Sequence, residues 1–85
     1  MNVRLKLFAT LSDYLPAAEA RRGSEVALDV PPETTVAQII ERFNLPRKLV
    51  HLVLINGHFV PPAARERHAL TEGDLLAIWP PIAGG

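Results

Sequence analysis

Apolar and polar residues alternate along two segments near the start of the chain, residues 3–9 and residues 25–30. A period of two with one polar face is typical of a half-buried strand, so both segments are predicted strands. Phe8 is an aromatic residue on the otherwise charged face of the first strand. Between the strands, residues 10–16 predict a turn or short helical piece and residues 17–23 a loop. The residues expected on the core face are Val3, Leu5, Leu7, Ala9, Val26, Leu28 and Val30.

A single helical stripe follows the second strand. Thr35 and Gln38 fit a capping box, in which two side chains satisfy the first backbone N–H groups of a helix. Asn44 suits the left-handed position after the last turn, and Pro46 prevents the helix from continuing. The sequence therefore predicts one amphipathic helix whose apolar side covers a sheet. That side consists of Val36, Ile39, Ile40 and Phe43.

The second half of the chain is predicted to add three more strands. The apolar run over residues 49–55 indicates a central strand that is buried on both faces. Asn56-Gly57 predicts a type I′ hairpin turn, because both central residues of that turn need a positive φ. The return strand covers residues 58–60, and a connection over residues 63–69 leads to the last strand at residues 75–79.

Composition narrows the class of protein. A chain of 85 residues makes one small domain, and a hydrophobic content of 48% is ample for a core. The absence of cysteine excludes disulfides and thiolate metal sites. Nine basic and nine acidic residues argue against a nucleic-acid or anionic-membrane binder. The start of the chain does not resemble a signal peptide, and no apolar run is long enough to span a membrane, so we expect a cytoplasmic protein.

The interior of the chain offers no clear catalytic constellation. His51, His58 and His68 are not spaced as paired ligands, so we expect no metal site. Ser12 and Ser24 lie in no nucleophile elbow, and there is no glycine-rich phosphate loop. The remaining candidate for a reactive site is therefore the end of the chain.

The chain closes on Pro80-Pro81-Ile82-Ala83-Gly84-Gly85. Glycine has no Cβ, so two terminal glycines can pass through a slot that would stop any other residue. A terminal carboxylate has an ordinary pKa of about 3.5 and is unreactive at neutral pH until it is activated. We predict a folded body over residues 1–79 and a flexible tail over residues 80–85.

Taken together, these motifs resemble the MoaD/ThiS family of sulfur carriers. The resemblance implies an α+β fold, the ubiquitin-like β-grasp, with a mixed sheet, one main helix packed on it and an extended Gly-Gly tail. The Pro-Pro-aliphatic-Ala-Gly-Gly ending is most similar to that of the small subunit of molybdopterin synthase. The matching segments are residues 3–9, Thr35-Val36, Ile55-Asn56-Gly57, Glu72-Gly73-Asp74 and the tail.

The resemblance also implies a chemistry for the tail. An ATP-dependent activating enzyme would adenylate the Gly85 carboxylate, and a sulfur donor would then leave a thiocarboxylate. A larger partner, the molybdopterin synthase large subunit, would accept the sulfur. The carrier itself would be no enzyme and would bind no cofactor, since ATP is used by the activating enzyme. In this hypothesis Gly84 keeps the tail thin, Ile82 and Ala83 line a partner's tunnel, and Pro80-Pro81 stiffen the exit.

Phe8 and Trp79 are the predicted docking residues, because their strands are neighbours in a β-grasp. Each also has an ordinary explanation, Phe8 as an isolated exposed apolar residue and Trp79 as an edge residue of the core. Other functions stay open at this point. The acceptor could be thiamine thiazole, tRNA or a tungsten cofactor. Alternatively, Gly85 could form isopeptide bonds with lysines in a protein modifier, or the chain could be a plain interaction domain.

Overall fold

A computed structural model of the chain describes residues 1–15 and 25–81. The predicted loop over residues 17–23 and the tail from Ile82 to Gly85 lie outside the described residues. Three short 3-10 helices occupy Ala9–Tyr14, Arg47–Leu49 and Pro62–Ala64. The strands are β1 (Asn2–Leu7), β2 (Glu25–Asp29), β3 (Leu52–Ile55), β4 (His58–Phe59) and β5 (Leu75–Trp79), and the helix α1 spans Val36–Arg42.

The five strands form one mixed sheet in the order β2-β1-β5-β3-β4. β1 and β5 are parallel, and the other neighbouring pairs are antiparallel. β1 and β2 pair with Arg4 opposite Ala27 and Lys6 opposite Glu25. Their charged side chains share one face, where Arg4 Nη1 lies 3.8 Å from Glu25 Oε2.

Helix α1 begins where the sequence predicts. The Thr35 hydroxyl accepts a hydrogen bond from the Gln38 backbone N–H at 3.3 Å, and Gln38 Oε1 accepts one from the Thr35 N–H at 2.8 Å. The capping box is therefore complete. After the last turn Asn44 has φ 55°, so it adopts the left-handed conformation that ends the helix, as predicted.

The core lies between α1 and one face of the sheet. Alternate residues of each strand point toward the helix, and the apolar stripe of α1 covers them. Phe43 is only partly buried against this core. The largest fully buried side chains are Leu5, Leu7, Leu11, Val36, Ile39, Val53, Leu76 and Ile78.

The prediction of a two-sided central strand over residues 49–55 was wrong. Leu49 ends a 3-10 helix, and β3 begins only at Leu52. Within β3 only alternate side chains are buried, because α1 covers a single face of the sheet. The middle strand is β5, which lies between β1 and β3.

The first strand also ends earlier than predicted. Ala9, expected on the core face, is exposed and has φ 52°, so the chain has already left the strand. The last ladder contact is the Phe8 N–H, which donates to the Ile78 carbonyl at 3.1 Å. Leu11, in the 3-10 helix that follows, is fully buried and belongs to the core, whereas Ala9 does not.

The Asn56-Gly57 turn forms as predicted, with φ values of 51° and 85°. The Asn56 side chain also ties the hairpin to the start of β5. Its Nδ2 donates to Asp74 Oδ1 at 2.8 Å, and its Oδ1 accepts from the Leu75 N–H at 2.9 Å. Thr71 completes the cluster, donating its N–H to Asp74 Oδ2 at 2.8 Å and its hydroxyl to Oδ1 at 3.0 Å.

Asp74 is the buried acceptor at the centre of this cluster. Desolvation by burial, the largest single effect, would raise the pKa of its carboxyl. The hydrogen bonds from Thr71 and Asn56 favour the ionised form, as does the charge of His68, and together they bring the pKa below its usual value. The ionised carboxylate therefore stabilises the native fold.

Replacing Asp74 by Asn should lower the free energy of unfolding at neutral pH by about 1–3 kcal/mol, since an amide cannot accept all of these hydrogen bonds. Urea unfolding followed by circular dichroism measures the change.

The same pair of proteins should differ in acid. A carboxyl with a lowered native pKa contributes stability that is present above its unfolded pKa of about 4 and is lost as pH falls through the native value. The gap between wild type and Asp74→Asn should thus narrow below about pH 4. A gap that stays constant down to pH 2.5 would contradict the ionised role of Asp74.

Candidate functional site

The sheet face opposite α1 carries an apolar surface, here called the apolar face. Leu54 lies opposite Ala77 of β5 on one side and opposite Phe59 of β4 on the other, and Leu52 lies opposite Trp79. Since side chains two residues apart share a face, the register places these residues together. The apolar face consists of Phe8, Leu52, Leu54, Phe59, Leu75, Ala77 and Trp79.

Most of the apolar face is accessible. Phe59 is 58% exposed, and the other large residues are half-buried by their neighbours. Only Ala77, in the middle, is buried. Within the described part of the chain, no helix or strand packs over this side of the sheet. A contiguous exposed apolar surface of this kind is typical of a protein interaction site.

The other half of the same sheet face is charged. Arg4 and Lys6 project from β1, and Glu25 and Asp29 project from the neighbouring strand β2. The face therefore changes from apolar to charged along the line between β5 and β1. Such an arrangement suits a partner with an apolar centre and a polar rim, since charges are generally kept to the rim of an interface.

Phe8 and Trp79 meet at one end of the apolar face. Their rings are stacked, with centroids 3.9 Å apart and planes 9° from parallel. Lys6 Nζ lies 5.1 Å from the Phe8 ring centroid, within range of a cation–π interaction. The predicted neighbourhood of their strands is confirmed by the parallel pairing of β1 with β5. Their role in docking stays a prediction.

The predicted tail leaves the sheet at this same end. The Trp79 carbonyl accepts the His51 N–H at 3.0 Å, so the last residue of β5 is still held by the chain leading into β3. Pro80 is buried and Pro81 is exposed. The chain thus emerges beside the Phe8–Trp79 stack. Because Ile82, Ala83, Gly84 and Gly85 lie outside the described residues, their roles stay predictions.

Sequence reasoning missed most of the apolar face. The apolar run predicts a two-sided core strand for Leu52 and Leu54, and the sequence pattern predicts no functional role for Phe59 or Leu75. The hairpin offered a usable signal, because a two-residue turn at Asn56-Gly57 fixes Phe59 opposite Leu54. An aromatic residue opposite a leucine on the uncovered side of a sheet indicates a surface rather than a core.

The remaining candidates for chemistry do not form a site. His51, His58 and His68 are all exposed. In residues 1–15 and 25–81, no three histidine or acidic side chains are grouped so that they could hold a metal ion. The helix in this part of the chain is too short to cross a membrane.

Comparison with known proteins identifies relatives by sequence family and by fold. The model of the ThiS family matches residues 5–85. No curated protein sequence matches this chain.

Three solved structures are similar over nearly their whole length. The first is SAMP1 from Haloferax volcanii, at 24% identity and a TM-score of 0.68, with 100% of both chains covered. Small archaeal modifier protein 1 from Methanosarcina acetivorans is 22% identical with a TM-score of 0.61, covering 99% of this chain and 96% of the other. A complex of subunits 1 and 2 of molybdopterin-converting factor from Helicobacter pylori contains a chain at 18% identity and a TM-score of 0.60, with 100% of both chains covered. At these identities the likeness establishes the fold.

Proposed function

This chain belongs to the ThiS family, with the ubiquitin-like β-grasp fold, and we propose that it carries sulfur as a thiocarboxylate on Gly85. In this proposal it serves as the small subunit of molybdopterin synthase and donates that sulfur during molybdenum cofactor biosynthesis. The catalytic centre belongs to a larger partner subunit, and the carrier supplies the reactive group.

One observation carries the proposal: the family match runs through Gly85, and the strand that leads to this residue ends beside the apolar face. A carrier needs both features, because a partner must hold the folded body while the tail enters its active site. Six extended residues reach about 20 Å at most, which is enough to enter a buried pocket.

The proposed chemistry takes place on the Gly85 carboxylate. One carboxylate oxygen attacks the α-phosphorus of ATP in an activating enzyme, releasing pyrophosphate and forming an acyl adenylate. A hydrosulfide equivalent then attacks the acyl carbon and AMP leaves with the oxygen that joined it to the chain, so one oxygen of the carboxylate is replaced by sulfur without a change of oxidation state. The covalent tether keeps the sulfur at a high effective concentration near the acceptor. No group of the described body takes part in these bonds.

The apolar face is proposed as the surface on which these partner enzymes dock. Phe8 and Trp79 are closest to the tail exit, so a partner that covers them also receives the tail. The polar half of the sheet face would meet the rim of the interface, where charges adjust orientation and association rate more than affinity.

The choice of acceptor rests on two supports. The ending Pro80-Pro81-Ile82-Ala83-Gly84-Gly85 resembles that of the synthase small subunit. The Helicobacter pylori structure with the same fold is a complex of subunits 1 and 2 of molybdopterin-converting factor. A thiocarboxylated sample should therefore convert the cyclic pyranopterin precursor to its dithiolene product when the synthase large subunit is added. Transfer to a thiamine thiazole synthase instead, with none to the pterin, would overturn this choice.

A protein modifier is the second candidate, because two of the similar folds are small archaeal modifier proteins. In that case the activated Gly85 would form isopeptide bonds with lysine side chains. Affinity-tagged chain expressed in its own cells would then appear on denaturing gels in conjugates of higher mass. The carrier proposal expects none that depend on Gly85.

A further inference from the structure

A pocket of about 300 Å³ opens on the helix side of the fold, away from the apolar face. Its apolar part is formed by Ala37 and Ile40 of α1 and by Val50. Its charged residues are Arg47, which begins the 3-10 helix Arg47–Leu49, and Arg65 and Glu66, which follow the 3-10 helix Pro62–Ala64 in the connection to β5.

Arg65 lies half-buried against the base of this pocket. Its guanidinium donates to three backbone carbonyls, at 3.4 Å to Val60, 3.3 Å to Val50 and 3.1 Å to His51. A guanidinium carries five N–H donors, so two remain beyond these three bonds. Burial lowers the pKa of Arg65, although the group stays charged at neutral pH.

The positive charge in the pocket is not neutralised by the folded body. Among residues 1–15 and 25–81, the ion pairs within 4.0 Å are those of the Met1 amine with Asp29 and of Arg4 with Glu25. Neither Arg47 nor Arg65 is in this set. Glu66 lines the pocket without pairing to either arginine, so the two cations outnumber the single carboxylate.

We propose that this pocket binds an oxyanion, a phosphate or carboxylate group, between Arg47 and Arg65. The three carbonyls fix the Arg65 guanidinium in place, so little side-chain entropy is lost when its remaining N–H groups bind an anion. Arg47 is exposed and supplies the second charge from the rim. Arginine suits this role because its planar donors match the oxygen geometry of both groups. The site is independent of the tail and of the proposed sulfur chemistry.

The test is a titration of the isotope-labelled full-length chain with sodium phosphate, and separately with sodium acetate, followed by amide NMR at constant ionic strength in sodium chloride. We expect saturable shifts at Ala37, Val50 and Arg65. The stronger-binding salt identifies whether phosphate or carboxylate is the preferred group.

Three variants make the test specific. Arg47→Gln should weaken binding about threefold to fivefold, the range of a partly exposed ion pair. Glu66→Gln should strengthen it, because it removes the negative charge that Glu66 contributes to the pocket. Arg4→Gln, an exposed arginine on the opposite side of the sheet, should have no effect. Shifts that rise linearly without saturation with both salts, or that respond equally to Arg47→Gln and Arg4→Gln, would overturn the proposal.

Discussion

Deleting Gly85 is expected to abolish sulfur transfer while leaving the fold unchanged. Removing one residue withdraws the carboxylate by about 3.5 Å. Reacting groups must be aligned far more closely than this, and a misplacement of about 1 Å already costs roughly 100-fold in rate. The thermal unfolding midpoint should stay unchanged, because the last strand ends at Trp79 and, among residues 1–15 and 25–81, the hydrophobic core cluster includes none beyond that strand.

The test measures how much thiocarboxylate forms when each variant is incubated with the activating enzyme, ATP and a sulfur donor. Circular dichroism monitors the fold. Gly84→Ala is the matched control, since it keeps the length of the tail but adds a Cβ to its stalk. If thiocarboxylate formation is lost in the deletion and reduced less in Gly84→Ala, the length of the tail matters more than its width. A deletion variant that still becomes loaded, or one that unfolds at a clearly lower temperature, would contradict the account.

Placing a charge in the middle of the apolar face should disrupt docking. Leu54→Asp is expected to weaken binding of the activating enzyme by about 30-fold or more, the effect of losing a contact of about 2 kcal/mol at an interface centre. The reason is that an unpaired carboxylate would have to be desolvated there. Isothermal titration calorimetry with the purified activating enzyme measures the affinity.

The control is Ala27→Asp, which adds the same charge to the same side of the sheet but on β2, beyond the charged residues of β1. It should change the affinity by less than about threefold. Phe59→Asp provides a second test. Because Phe59 is already 58% exposed, we expect this variant to fold normally. If both apolar-face variants bind as tightly as Ala27→Asp, the apolar face is not the docking surface.

The sequence was most informative where a local rule determines the structure. The capping box at Thr35, the left-handed Asn44 and the Asn56-Gly57 turn each depend on residues close in sequence, and all three form as predicted. The family resemblance supplied one long-range pairing, that of the first strand with the last, which local patterns do not contain.

Long-range packing accounts for the errors. The apolar run ending at Ile55 did not reveal that one face of its strand would be left uncovered, because this depends on α1 covering only the other face. Ala9 continues the alternation of the first strand in the sequence, yet it is exposed because the chain has already turned, and Leu11 beyond the turn is buried. The hydrogen bonds of Arg65 could not be predicted from the sequence, because two of its carbonyl partners lie 14 and 15 residues earlier.

The candidate site was therefore predictable only near the tail. Phe8 and Trp79 could be paired because the β-grasp places their strands side by side. The rest of the apolar face required the observed register of β3 with both of its neighbours.

Intact mass spectrometry of the protein after incubation with its activating enzyme, ATP and a sulfur donor shows directly whether Gly85 carries sulfur. We expect a species heavier by one oxygen-to-sulfur exchange, located to Gly85 by fragmentation and absent when ATP is withheld. A mass that stays unmodified under conditions in which the activating enzyme loads a known carrier would contradict it.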